Sequence, residues 1–146
     1  MSHIKITRHE YEEPYHLNLI FEAANETQCT TLEYYCNATD LQEIAEHLEV
    51  FPRHQSDVFL YEFGSEKKED RHAYYFRMRA FLVNGVGNCA IQIRTNNNEE
   101  LPEKQISEFC IEAEPSQINK LGQLFRKFAE LKHTVLEWSV TEGSVN

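Results

Sequence analysis

No run in the 146-residue chain approaches the roughly 18 consecutive apolar residues of a membrane helix, and mean hydropathy is -0.57, which argues against a membrane-spanning helix. The first residues, Met1-Ser2-His3-Ile4-Lys5-Ile6, alternate polar and apolar and hold no signal-peptide core, so a cytosolic protein is expected. Glycine and proline are scarce, at 5 and 4 residues, which argues against disorder or low complexity. Cys29, Cys36, Cys89 and Cys110 form no C-x-x-C pair and read as reduced core residues. Cationic side chains are few: 14 Lys and Arg face 24 Asp and Glu, giving -10 at pH 7. Such a surface repels phosphate backbones and anionic membranes, so no nucleic-acid or membrane partner is expected. Gly85-Val86-Gly87 is a lone G-x-G, and neither G-K-[ST] nor G-x-S-x-G occurs, which excludes a P-loop and a hydrolase nucleophile elbow.

Apolar residues make up 41% and aromatics 12%, enough for one hydrophobic core in a chain of this length. Period-two alternation predicts strands over residues 4–8, 17–23, 32–36, 58–63, 72–83, 89–93, 106–113 and 135–140, with a turn at Asn84-Gly85-Val86-Gly87-Asn88. Leu41, Ile44, Ala45, Leu48 and Phe51 form one stripe of a helix that Thr39 and Gln42 open as a capping box and Pro52 ends. Ile118, Leu121, Leu124, Phe125, Phe128 and Leu131 form the stripe of a second helix, from Pro115 to about Lys132. The expected fold is a single α+β domain over residues 1–146. In it about seven or eight antiparallel strands form a sheet packed with two amphipathic helices, and residues 141–146 form a flexible tail.

Chemistry-bearing constellations are sparse. The 7 histidines include His3, His9 and His16, which adjacent strands could bring together, but surface histidines on neighbouring strands give the same pattern, and no metal or other cofactor is expected. Glu33 and Glu62 are flanked by aromatics, as a carboxylic acid of raised pKa would be, although strand alternation points both outward. A small-ligand or hydrolytic pocket lined by Tyr34, Tyr61, Tyr74 and a carboxylate is therefore the alternative reading; no catalytic residue is assigned.

The first helix carries the sharper signal. Asp40, Glu43, Glu46 and Glu49 sweep the side opposite its apolar stripe, and no Lys or Arg interrupts them. Like charges at this spacing repel, and Glu49 opposes the helix dipole, so stability alone would favour interleaved cations. A docking surface for a basic protein explains the pattern; simple solvation is the competing account. On the long strand, Tyr75, Arg77, Arg79 and Phe81 point outward together, as a homodimer face or as partners for Glu33 or Glu62.

The layout combines a strand meander, a helix opened by Thr39-Asp40-Leu41 and closed by Leu48-Glu49-Val50-Phe51-Pro52, an aromatic strand ending at Gly64, a long hairpin, and a helix entered through Glu114-Pro115. It resembles small bacterial α+β proteins similar to immunity proteins of contact-dependent and polymorphic toxin systems. The resemblance implies a non-enzymatic, cytosolic inhibitor that binds a cationic toxin domain, with no catalytic residue to carry over.

Overall fold

The structure, a computed structural model, describes residues 1–85 and 87–146. Apolar side chains at every second position drive β1 (His3–His9), β2 (His16–Ala24) and β3 (Cys29–Asn37) to bury one face as an antiparallel meander. Helix α1 (Ala38–Leu48) follows, and β4 (Phe59–Gly64), β5 (Tyr75–Leu82), β6 (Cys89–Asn96) and β7 (Ile106–Ala113) form a second meander. Helix α2 (Pro115–Phe128) then leads to β8 (Val135–Ser139) and β9 (Gly143–Val145). The fold is α+β, as the alternation implies.

One expectation needs correction: the strands form two sheets, a five-stranded one in the order β3-β2-β1-β8-β9 and a four-stranded one in the order β4-β5-β6-β7. The apolar faces cover each other. Phe21 meets Phe76 edge-on with ring centroids 4.7 Å apart, and Tyr34 stacks on Phe76 at 5.0 Å. Alternation reveals which face of a strand is buried but not which other strand buries it, so a single sheet was the simpler expectation. Residues 141–146 are not a loose tail. β9 pairs with β8, and the Asn146 carbonyl accepts the Val135 N–H at 2.9 Å.

Helix ends also differ from their sequence signals. α1 has Asn37 at its N-cap with no side-chain cap bond, so Thr39 and Gln42 do not form the expected box, and the helix stops at Leu48 rather than Phe51. The Asn119 amide of the second helix donates to the last carbonyl of α1, Leu48, at 2.9 Å and to the Phe51 carbonyl just beyond the helix at 2.8 Å. In α2 a capping box does form, between Glu114 and Gln117, and the helix ends at Phe128. The expected turn at Asn84 to Asn88 includes Val86, which lies outside the described residues; across it the Val83 N–H donates to the Asn88 carbonyl at 2.7 Å.

The helices pack on one another with little clearance. A Cβ on Gly122 would lie 2.5 Å from the Glu49 nitrogen, so this crossing requires glycine. Trp138, fully buried on β8, donates its indole N–H to the Gln117 carbonyl at 2.9 Å and ties α2 to the five-stranded sheet. The result fixes α1 rigidly, because Leu41, Ile44, Ala45 and Leu48 are all buried, and each large side chain among them contributes about 1.5–3 kcal/mol of burial. Among the described residues, no helix is long and apolar enough to cross a membrane.

Candidate protein-docking surfaces

Because α1 buries Leu41, Ile44, Ala45 and Leu48, its acids face outward, but the four do not form a uniform row. Asp40, half-buried near the start of the helix, accepts the Tyr61 hydroxyl at 2.8 Å. Glu49, at the C-terminal cap, receives the Arg126 Nε at 2.6 Å from α2. Glu43 and Glu46 remain exposed, and neither has a hydrogen-bond or ion-pair partner among the described residues. Glu46 is still felt at a distance by Arg126, whose pKa is raised first by its bond to Glu49 and least by Glu46. The expected quartet is thus two outward carboxylates flanked by two that the fold employs.

The second expected surface lies on the outer face of the four-stranded sheet. Register aligns Glu62, Arg77, Arg94 and Glu108 across β4, β5, β6 and β7. Arg77 donates to Glu108 at 2.7 Å, Arg94 binds Glu66 at 2.8 Å, and the Tyr75 hydroxyl donates to Glu62 at 2.7 Å. Arg79 lies 4.4 Å over the Phe81 ring and bonds Gln92 at 3.3 Å. The Arg77 Nε is buried with no acceptor among the described residues. This face is therefore cross-linked by Glu62 and Glu108 of its own sheet and by Glu66 of the loop after β4, not by Glu33. Glu33 sits on the other sheet, accepting the Asn18 amide at 3.3 Å.

The aromatic-pocket alternative can be located as well. Tyr34 is buried against Phe76, Tyr61 lies near the same ring, and the carboxylate beside them is Asp40, not Glu33 or Glu62. Four surface clefts among the described residues are lined by residues other than Tyr34, Tyr61 and Tyr74. Burial drives the phenols of Tyr34 and Tyr61 far above their ordinary range, so neither ionises near neutrality. The Cys36 thiol is pushed up to about 12, mainly by burial and then by the charge of Asp40, which leaves it an inert core residue. His3 and His9 occupy opposite ends of β1, and His16 lies 3.7 Å from Glu12 in the β1–β2 connection. The strands do not bring the three histidines to one point.

Two constellations escaped sequence reading. Asp57, 3% exposed, accepts the Arg53 backbone N–H at 2.9 Å, Arg53 Nη2 at 3.0 Å and Nε at 3.2 Å, and lies 3.2 Å from His47 Nε2. The bonds from Arg53, foremost, and the neighbouring His47 hold its carboxyl well below the usual carboxylate range. Its position in a loop beside Val58 carried no periodic signal. The other is a cleft of about 200 Å³ lined by Tyr11, Glu12, His16, Tyr35, Cys36, Asn37 and Phe63. The Tyr11 and Tyr35 rings meet in it at 4.9 Å and 59°. The Glu33-Tyr34-Tyr35 run hinted at a surface aromatic, but only the fold brings Tyr11 to it.

No family model matches the chain, and no curated protein matches it. Among solved structures the chain is similar to the plant transcriptional regulator PBF-2, with 9% identity and a TM-score of 0.48 over 88% of this chain and 76% of that one. A likeness of that degree carries no functional argument.

Proposed function

We propose that this chain is a non-catalytic protein-binding module that docks on a basic partner through the outward flank of α1, with Glu43 and Glu46 at the contact. In its most specific form the proposal is a cytoplasmic immunity protein that covers a cationic toxin domain. One observation carries it. Two exposed carboxylates, one helical turn apart on a helix anchored by four buried residues, have no bonded cation among the described residues, although Arg126 lies close enough to bind Glu49 instead. Fixed like charges raise the helix's own energy slightly, and a basic partner would relieve that repulsion while gaining association rate from the long-range field. The net charge of -10 extends the same field over the molecule. Asp40 and Glu49 serve the fold here and are not assigned to the contact.

Affinity capture from the source cell tests the reading, using the wild type and the Glu43→Lys/Glu46→Lys double variant side by side. A basic partner retained by the wild type and lost from the folded variant is the expected result. Equal capture by both proteins, or a partner that is itself acidic, contradicts it. Co-expression with the captured partner tests the finer claim: protection from a toxic effect is expected, and a partner that is harmless alone removes the immunity role.

A further inference from the structure

We infer that the cleft at the free edge of β3 is an aromatic cage for a single cationic side chain, arginine or lysine, presented by the partner protein. The inference rests on the proposed function only in taking that partner to be basic.

The cleft has the parts such a site needs. The Tyr11 and Tyr35 rings, 4.9 Å apart and tilted at 59°, form a wedge, and Phe63 adds a third ring to the lining. Ring faces carry negative charge density that attracts a cation within about 6 Å, most strongly where water is thinned. Glu12 lines the same cleft and supplies a carboxylate, which His16 approaches at 3.7 Å from the same lining, and among the described residues no lysine or arginine lines it. That charge is felt within the cleft, since Glu12 is the foremost cause lifting the Tyr11 phenol above its ordinary pKa. Glu33 stands two residues from Tyr35 on the same outward face of β3. A volume near 200 Å³ admits a guanidinium or ammonium head with its last methylenes.

The walls are also held in place, which lowers the entropy lost on binding. Edge-strand β3 donates its Tyr35 N–H to the Tyr74 hydroxyl at 2.8 Å, and the Tyr74 ring stacks on Phe63. The connection that carries Tyr11 is closed at its base by Arg8, which binds both Glu13 oxygens at 2.6 Å, and at its end by the Ala38 N–H donating to the Tyr15 carbonyl at 2.9 Å. Tyr11 and Tyr35 nevertheless remain 54% and 41% exposed. Two open rings, one on β3 and one in the β1–β2 connection, beside the Glu12 carboxylate favour a cation over a neutral apolar side chain, which would gain nothing from Glu12.

Proton NMR of the full chain tests this, titrating N-acetyl-arginine methylamide as the probe, its citrulline analogue as the neutral control and tetramethylammonium as a free cation. Saturable shifts at Tyr11, Tyr35 and Phe63 with the arginine probe, and none with citrulline, are expected. Tyr11→Leu should weaken binding about tenfold, and Glu12→Gln several-fold while leaving the fold intact. Equal response to citrulline, or a response to tetramethylammonium alone, overturns the assignment. Shifts confined to Glu43 and Glu46 defeat the cage but leave the docking flank standing, whereas shifts at the cage that persist in the Glu43→Gln/Glu46→Gln variant support the cage even if that flank proves idle.

Discussion

Asp57 and Glu46 are both carboxylates beside His47, one across a loop and one as its chain neighbour, and the molecule uses them in opposite ways. Asp57 is 3% exposed and held by Arg53 through three bonds, whereas Glu46 is exposed and bonded to nothing among the described residues. The difference is one of dielectric and geometry. A buried charge survives only where the fold supplies donors, so its neighbours are structural by necessity; an exposed charge without a partner is free to meet a molecule outside. Arg8, bonded to Glu13 and to the His133 carbonyl, belongs with Asp57, as does, more weakly, Glu49 with its surface bond to Arg126.

Substitutions should separate these two groups by size of effect. Asp57→Asn is expected to cost the most, about 3 kcal/mol in urea unfolding, because the neutral amide replaces one of two buried acceptor oxygens with a donor that faces the Arg53 and His47 nitrogens. The pH dependence follows in sign. The folded-state pKa of Asp57 lies well below its unfolded value, so its contribution is complete above the ordinary carboxylate range and is lost as pH falls from about 5 through the folded value. Asp57→Asn should flatten that part of the acid-stability profile; an unchanged slope would remove Asp57 from the buried, paired group.

Arg8→Met should cost about 2 kcal/mol by leaving Glu13 and the His133 carbonyl unanswered, measured in the same way. Breaking the half-exposed Glu49–Arg126 pair with Arg126→Gln should cost about 0.5 kcal/mol or less, and less again at high salt. Glu43→Lys with Glu46→Lys should move stability by no more than about 0.5 kcal/mol in either direction. A loss of several kcal/mol there would place those acids among the structural ones and erase the contrast.

How much of this was legible follows the same line. The stripe of Leu41, Ile44, Ala45 and Leu48, the interior alternation of β5 and the proline entry of α2 are local patterns, and each is present in the structure. The division into two sheets was not legible, because it depends on Phe21 and Tyr34 meeting Phe76, contacts between residues far apart in the chain. β9 was missed since three residues, Gly143–Val145, are too few to display a period. The outward side of α1 could be read from spacing, yet spacing is silent on Arg126, which reaches Glu49 from another helix. The Arg77 row was likewise visible as outward, while Glu108 and Glu66, which answer Arg77 and Arg94, lie on β7 and in the loop after β4. Tyr11 and Tyr35 became neighbours only when the β1–β2 connection folded over the edge of β3.

The most direct measurement is stopped-flow association with the captured basic partner over a range of ionic strength, comparing wild type with the Glu43→Lys/Glu46→Lys variant. The wild-type association rate constant should fall steeply as salt rises, and the variant should start slower and respond little, with dissociation altered much less. Equal rates and equal salt slopes for the two proteins would contradict the docking role of α1.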